Sequence, residues 1–151
     1  MTATGVAPEP TTLGARAAAR APERVAAVGA DGAGVAWSGV AAEARHGALG
    51  LVALGLRPGD RVAVAVGPPD RWLAAALAVI GAGGVVVPLP GALAAAAAVA
   101  RTARVHWAVT DGAALGARLA PEVTILAEGE GRGDHRWTDV VATGAAAPGD
   151  G

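Results

Sequence analysis

The stretch from Arg57 to Pro90 constrains the fold more than any other part of the sequence, because glycines and prolines divide it into short apolar segments. It opens with a Pro-Gly-Asp turn. Residues 62–66 follow; they are apolar and partly β-branched, which predicts a buried strand. Residues 71–82 contain no breaker before a glycine near their end, which predicts a helix closed by that glycine. After two further glycines, residues 85–87 predict a second strand.

This order of turn, strand, helix and strand predicts a βαβ unit, in which two parallel strands are joined by a right-handed crossover. Both strands are apolar at every position, which is typical of a parallel sheet covered by helices on both faces. Asp70 directly precedes the helix, and it is predicted to cap the N-terminus of that helix. The stretch therefore predicts an α/β fold with a mainly parallel sheet.

Upstream of this unit, the sequence predicts two helices with a hairpin between them. A helix is expected to begin at Thr11 or Thr12 and to end near Arg20. Residues 25–28 and 35–37 flank a glycine-rich turn with an Asp-Gly pair, which predicts a small β-hairpin. Ser38 is predicted to cap an amphipathic helix that ends near a glycine at position 55.

Downstream, helical and strand patterns continue to alternate. The predicted elements are a helix over residues 93–102, a strand over residues 105–109, a short helix that ends near Leu119 and a strand over residues 123–126. With the upstream elements, they predict a three-layer α/β sandwich with an N-terminal helix and a small hairpin. We expect residues 1–11 to be disordered, residues 12–127 to form the α/β domain and residues 128–151 to form a flexible polar C-terminal segment.

The composition argues against several classes of function. The formal net charge of −1 gives no basic field that would attract nucleic acid. All twelve basic residues are Arg and none is Lys, which we interpret as compositional bias. The absence of Cys excludes disulfides and thiolate chemistry, and it agrees with a cytoplasmic location. Residues 72–100 carry no charge, but glycines and prolines interrupt them, so no membrane span is predicted.

Two glycine clusters are candidates for phosphate loops. Residues 29–34 follow a strand, as a dinucleotide-binding loop does, but they precede a second strand where the fingerprint requires a helix. A hairpin turn is therefore the favoured interpretation. Residues 81–84 precede a strand, so they are interpreted as a helix-to-strand connection. A Walker-type loop is excluded because it requires a Lys.

Other residues are of types found in catalytic sites, but none is assigned a catalytic, cofactor-binding or metal-binding role. The histidines match no metal-binding spacing, Ser38 lies in no nucleophile elbow, and the C-terminal carboxylates lie in a segment with little expected burial. Four Trp residues could form a stacking surface, but core positions are favoured. The residues concerned are Ser38, His46, His106, His135, Glu128, Glu130, Asp134, Asp139, Trp37, Trp72, Trp107 and Trp137.

The order of motifs from Thr12 to Leu126 resembles the N-terminal portion of the adenylate-forming enzymes. These include acyl-CoA synthetases, nonribosomal peptide adenylation domains and luciferases. Five stretches carry the resemblance, each similar to a strand entry, strand end or helix start of that family. They are Val35 to Ser38, Arg57 to Val64, Gly67 to Trp72, Ile80 to Leu89 and Val105 to Asp111.

The sequence also departs from the family pattern. Val86 stands where the family usually has an aromatic residue, and Pro90 where it commonly has a polar one. The family's phosphate loop with its Lys would follow a segment like residues 148–151, and its other functional residues come later still. No position of this sequence matches them.

The resemblance implies a fragment of an ATP- and Mg-dependent ligase that activates a carboxylic or amino acid as an acyl-adenylate, with CoA or a carrier thioester as acceptor. The chain is expected to bind neither cofactor alone and to be inactive alone. Adenylation needs cationic stabilisation of the phosphoryl centre and preorganised donors around it, and a chain without any Lys and without a glycine-rich loop that opens a helix cannot supply these unaided. The implied partner is a complementing chain or a second copy. Two alternatives remain open: a non-catalytic interaction module derived from this subdomain, and a nucleotide-binding domain of another class.

Overall fold

The structure is a computed structural model, and it describes residues 12–89, 93–119, 121–127 and 133–148. Helices and strands alternate along these residues. The helices are α1 (Thr12–Arg20), α2 (Trp37–Ala53), α3 (Pro69–Gly81), α4 (Leu93–Ala103), α5 (Ala113–Leu119) and α6 (Trp137–Ala146). The strands are β1 (Val25–Val28), β2 (Gly34–Ala36), β3 (Arg61–Ala65), β4 (Val85–Pro88), β5 (Trp107–Thr110), β6 (Val123–Leu126) and β7 (His135–Arg136).

The main sheet is parallel and has the strand order β4-β3-β5-β6-β7. Val62 in β3 is in register with Val86 in β4 on one side and with Trp107 in β5 on the other. Parallel pairing of β3 with β4 confirms the predicted βαβ unit. The strand before α5 begins at Trp107, two residues later than predicted, and it extends to Thr110.

Helices cover the sheet from both sides. The connection from β3 to β4 runs towards one edge of the sheet, whereas those from β4 to β5 and from β5 to β6 run towards the other edge. Because each crossover is right-handed, α3 lies on one face of the sheet and α4 and α5 lie on the opposite face. On its own face, α3 packs with α2 and α6 over a core that includes Leu51, Val79 and Ile125. On the other face, Ala96 and Ala100 of α4 are buried. The three-layer α/β sandwich is thereby confirmed.

The hairpin between α1 and α2 is also confirmed. β1 and β2 pair antiparallel, and Gly32 occupies the turn with a φ of 80°. Ala26 and Val35 of this hairpin pack with Leu73 and Leu77 of α3. The hairpin therefore covers the outer side of α3 near its N-terminus.

The predicted helix caps are wrong at both positions. Helix α2 begins at Trp37, and the N–H groups of Trp37 and Ser38 donate to the carbonyl oxygens of Arg24 and Pro22 at 3.0 Å each. Backbone acceptors thus replace a side-chain cap, and Ser38 lies in the first turn. Helix α3 begins at Pro69, so Asp70 also lies in the first turn, where its charge suits the helix dipole.

The predicted flexible segment over residues 128–151 is corrected for residues 133–148. β7 pairs parallel with β6, and α6 packs against α2. Trp137 is only 1% exposed and Val140 only 2%. Because a buried indole contributes a large apolar area, this part belongs to the core. Residues 1–11, 128–132 and 149–151 lie outside the described residues. The prediction that residues 1–11 are disordered therefore also concerns residues outside the described part of the chain.

Glycines allow α2 and α6 to cross at very short range. A Cβ atom added at Gly47 would lie 2.7 Å from Cη2 of Trp137, and one at Gly50 would lie 2.8 Å from the carbonyl carbon of Val140. From the other helix, a Cβ atom at Gly144 would lie 2.8 Å from the backbone nitrogen of Gly50. Real Cβ atoms do not approach backbone this closely, so the crossing depends on residues without side chains.

β4 lies at an edge of the sheet and is less covered than predicted, since Val85 is 47% exposed. The Val85 N–H group donates to the carbonyl oxygen of Asp60 at 2.8 Å, towards β3. The backbone N–H and C=O groups of successive residues in a strand point to alternate sides. Those of Val86 and Pro88 therefore point away from the sheet. Proline lacks an N–H group, and an edge is where a strand tolerates it.

The uncharged stretch over residues 72–100 is divided between α3, β4 and α4. Among the described residues, no helix combines the length and the apolar character that crossing a membrane requires.

Candidate functional site

The strongest candidate site is a crevice at the carboxyl ends of β3 and β5. These strands are neighbours, yet the helices that follow them, α3 and α5, lie on opposite faces of the sheet. In open α/β sheets such a switch point leaves a crevice in which ligands bind. We refer to the residues that follow the two strands here, Gly67, Asp70, Thr110, Asp111 and Gly112, as the strand-end crevice.

Hydrogen bonds hold the two sides of the strand-end crevice together. The Gly67 N–H group donates to Oδ2 of Asp111 at 2.6 Å, which joins the loop after β3 to the loop after β5. The backbone N–H group of Asp111 donates to the carbonyl oxygen of Ala65 at 3.3 Å. Thr110 is fully buried, and its hydroxyl donates to the carbonyl oxygen of Gly112 at 3.1 Å. The loops are therefore fixed by their own contacts.

The crevice is acidic. Oδ1 of Asp70 and Oδ1 of Asp111 are both buried, and neither accepts a hydrogen bond from the described residues. A buried acceptor without a donor loses its hydration and gains nothing in return. The hairpin approaches the same place, because a Cβ atom added at Gly29 would lie 3.3 Å from Oδ2 of Asp70. The crevice is therefore lined by carboxylates, and two of their oxygens are buried without a donor.

ATP and Mg²⁺, which the family resemblance implies, do not fit these residues. A triphosphate requires N–H donors and cations, but the Gly67 N–H group is occupied and the residues of the strand-end crevice include carboxylates and no cationic side chain. A magnesium site requires several oxygen ligands. Within the described ranges, no group of three or more His, Cys, Asp or Glu residues could hold a metal ion. We therefore assign no cofactor contact to this chain.

The two glycine clusters have the turn geometry expected of them. In residues 29–34, the Gly29 N–H group donates to the carbonyl oxygen of Ala33 at 2.8 Å, which closes the hairpin. In residues 81–84, Gly83 has a φ of 86° and ends α3 before β4 begins. No helix opens on either cluster, and a phosphate loop would need one.

The histidines and Ser38 lie on separate elements. His46 lies on α2, His106 lies just before β5 and His135 is in β7. Nδ1 of His106 is 3.5 Å from the backbone nitrogen of Arg61, a long contact that links the entries of β3 and β5. Ser38 is exposed in the first turn of α2. Their contacts with the described residues bring none of them together into a catalytic group.

The carboxylates near the C-terminus also lie apart. Glu128 and Glu130 lie outside the described residues. Oδ2 of Asp134 accepts the Thr124 N–H group at 2.7 Å, and the Asp134 N–H group donates back to the Thr124 carbonyl oxygen at 2.9 Å. Asp139 is in the first turn of α6. Asp134 therefore ties β6 to the entry of β7.

The four Trp residues pack into the core and do not line a shared cavity. Trp107 and Trp137 are buried in the main core, and Trp72 packs against it. Trp37 packs against a separate apolar cluster that includes Val40 and Leu77, as does Val35 of the hairpin. This agrees with the interpretation of these residues as core side chains.

A polar contact between α2 and α6 was missed at the sequence level. The Trp137 Nε1–H group donates to Oε1 of Glu43 at 2.7 Å, and a guanidinium nitrogen of Arg71 lies 3.5 Å from the same oxygen. With His46, Thr138 and Val141, these residues line a cavity of about 360 Å³. The available signal was the indole N–H group, which needs a partner when it is buried. Its partner is 94 residues away in the sequence.

The comparison with protein families decides what kind of protein this is. The profile of the family described as AMP-binding enzyme matches residues 14–140, from α1 into α6. The chain belongs to the AMP-binding enzyme family. The match begins and ends close to the domain formed by the described residues, and it includes the α6 entry that sequence reasoning had left outside the domain.

Solved structures of AMP-binding enzymes share the fold. A protein described as a long-chain-fatty-acid CoA ligase from Rhodopseudomonas palustris CGA009 superposes with a TM-score of 0.71 at 21% identity, over 85% of this chain. The N-terminal subdomain of NpsA from Klebsiella oxytoca, in complex with 3-hydroxyanthranilyl-AMSN, gives a TM-score of 0.65 at 18% identity, over 86% of this chain. MatB from Rhodopseudomonas palustris gives a TM-score of 0.61 at 30% identity, over 80% of this chain.

The chain spans only part of these proteins. It covers 35% of the long-chain-fatty-acid CoA ligase, 31% of the NpsA subdomain and 25% of MatB. No curated protein sequence matches the chain significantly. The described residues thus correspond to a portion of an AMP-binding enzyme, which is where the resemblance placed them.

Proposed function

We propose that the chain supplies the N-terminal part of an adenylate-forming ligase. In that reaction a carboxylic or amino acid displaces pyrophosphate from ATP and becomes an acyl-adenylate, which is then transferred to a CoA or carrier thiol. The support is the family match over residues 14–140 in a chain that covers 35% of the first matched ligase structure.

The chain alone is inactive in this proposal, and it acts in the cytoplasm with a complementing chain that carries the remainder of the ligase. Adenylation develops negative charge that cations must stabilise. The absence of Lys and the acidic strand-end crevice argue that ATP and Mg²⁺ are held by that remainder. A homodimer would not supply what is missing, since two copies of a Lys-free chain contain no Lys either.

ATP–pyrophosphate exchange tests the proposal. We expect the purified chain to give no exchange with any acid, and exchange that copurifies with the chain through a second column would contradict its inactivity. MatB offers the complementation arm, because it is 30% identical over the matched part. A MatB variant that lacks its matched quarter is prepared. It is mixed with the missing MatB quarter as the positive control, and in a separate reaction with this chain as the test.

Exchange that is restored by both additions, more weakly by this chain, is the expected result. If the MatB quarter restores exchange and this chain does not, the proposal that it serves as part of a ligase is wrong.

A further inference from the structure

Three helices of the protein end in the same way, but one of them uses a different residue. In each case a residue one or two positions beyond the helix has a positive φ, and the N–H group of the residue after it donates to a carbonyl oxygen five residues earlier, the Schellman arrangement. The positive-φ residues are Gly55 after α2, Gly83 after α3 and Arg104 after α4, with φ of 103°, 86° and 51°. The back-bonds are Leu56 N to Leu51 O, Gly84 N to Val79 O and Val105 N to Ala100 O, at 3.0, 2.9 and 3.1 Å.

Arg104 is the one described non-glycine residue with a positive φ. The left-handed conformation brings the Cβ atom of an L-residue too close to the following carbonyl, so glycine is the residue that suits it. Compositional bias does not account for an arginine here, because the chain has 23 Gly and only 12 basic residues. A non-glycine residue in this conformation carries backbone strain, and such strain calls for a functional explanation.

Helix capping does not supply that explanation. A cation near a helix C-terminus is favourable, but Arg101 already lies in the last turn of α4. A guanidinium nitrogen of Arg61 also donates to the Ala103 carbonyl oxygen at 2.7 Å. The end of α4 therefore has its cation and its donor without the side chain of Arg104.

Arg104 belongs to a group of arginines at the amino ends of the strands. We refer to Arg57, Arg61, Arg101 and Arg104 as the basic edge. All four are exposed, and none forms an ion pair with a described residue. The described carboxylates at this side include Asp60, which accepts the Arg57 backbone N–H group at 2.8 Å, and Glu122, whose N–H group donates to the carbonyl oxygen of His106. Asp134, at the entry of β7, also lies at this side, and it accepts the Thr124 N–H group.

We propose that the basic edge binds an acidic protein surface, and that Arg104 keeps its left-handed conformation because its guanidinium is needed there. Arginine pairs with carboxylates through two parallel N–H groups. Small anions are bound in concave sites. The cavity of about 360 Å³ beside Trp137 and a second of about 390 Å³ between α1, α2 and α3 include no residue of the basic edge. The net charge of −1 disfavours nucleic acid. The basic edge lies at the opposite end of the strands from the strand-end crevice, so the proposal does not depend on the ligase function.

A titration with a short polyglutamate peptide tests the location of the surface. Amide shifts of the ¹⁵N-labelled chain at low ionic strength should be confined to residues 57–61 and 101–106. Shifts of equal size around Arg16, Arg20 and Arg45, or no shifts at all, would overturn the proposal. So would tighter binding of a single-stranded oligonucleotide of matched charge at the same residues.

Arg104→Gly tests the role of the strained residue, with Arg16→Ala as a control that removes one exposed charge from α1. We expect Arg104→Gly to weaken peptide binding about three- to tenfold and to raise the unfolding temperature by about 2 °C, since glycine suits the backbone there. Arg16→Ala should change the Kd less than about twofold.

Equal weakening by the two substitutions would mean non-specific attraction and would overturn the proposal. A lower unfolding temperature with unchanged binding in Arg104→Gly would assign Arg104 a purely structural role, and would overturn it as well.

Discussion

Replacement of Gly144 by alanine gives a sharp test of the packing between α2 and α6. A Cβ atom at position 144 would lie 2.7 Å from the carbonyl carbon of His46, with the carbonyl oxygen closer still. Ordinary contact of a Cβ atom begins at 3.4 Å. Because the carbonyl carbon would lie at only 2.7 Å, the two helices would have to separate by at least the difference, 0.7 Å. The obstacle is backbone, which cannot rotate out of the way.

The energetic consequence follows from what α6 buries. If α6 moves outward as a unit, Trp137 and Val140, now 1% and 2% exposed, lose their close packing. Overpacking of a core costs about 1–3 kcal/mol, and we expect the upper end here. Alanine recovers about 1 kcal/mol over glycine within a helix. The free energy of unfolding should therefore fall by about 2 kcal/mol.

Urea unfolding followed by Trp fluorescence measures this change, and Gly39→Ala is the matched control. Gly39 is exposed in α2, and the nearest atom to an added Cβ is Cγ1 of Val35 at 3.7 Å. With an m-value of about 2 kcal/mol/M, the midpoint should fall by about 1 M in Gly144→Ala and rise by up to about 0.5 M in Gly39→Ala. A Gly144→Ala midpoint at or above that of the unaltered protein would refute the reasoning.

Three further changes test other contacts. Glu43→Ala leaves the buried indole N–H group of Trp137 without its acceptor and should lower the free energy of unfolding by about 1–3 kcal/mol in urea, whereas Glu43→Gln, which keeps an acceptor, should lose less. Gly55→Ala has open space around the new methyl, so its cost of about 1–2 kcal/mol is conformational, and calorimetry should record a Tm lower by about 4 °C. Asp134→Ala removes the acceptor of the Thr124 N–H group, whose hydrogen exchange should accelerate about tenfold while exchange in β3 is unchanged.

The parts of the fold that could be predicted are those whose signals are local. The unit β3-α3-β4 lies within 28 residues, from Arg61 to Pro88, and its apolar runs are separated by glycine and proline. The same is true of the hairpin, whose turn residues lie between its two strands. Where tertiary contacts replace local ones, the predictions were wrong. The backbone of the preceding turn satisfies the first N–H groups of α2, so Ser38 has no capping role.

Helix α6 could not be predicted because its burial depends on a distant surface. Its sequence contains β-branched residues and Gly144, which weaken helical propensity, and a stretch rich in glycine and charge precedes it. What holds it is the glycine-lined side of α2, where Gly47 and Gly50 leave room for Trp137 and Val140. Nothing within the segment itself indicates that this surface exists.

The strand-end crevice was missed for a similar reason. Asp70 and Asp111 each follow an apolar strand, which is a local signal, but 41 positions of numbering separate them. Their proximity follows from the strand order, in which β5 lies beside β3 and β4 lies outside. A sequence pattern predicts that strands are parallel more readily than it predicts their order, and only the order places these two carboxylates at one crevice.

The position of Pro88 in the outer strand limits how far the sheet can grow. The Gly84 N–H group, just before β4, already donates to the Val79 carbonyl oxygen. Between Gly84 and Pro88, the outer side of β4 therefore offers a single free donor, the N–H group of Val86. An incoming strand that added to this side would gain one such bond before reaching a residue with nothing to donate. Despite its run of three valines, this edge is therefore a poor template for amyloid-like stacking, and we expect concentrated solutions to resist fibril formation through it.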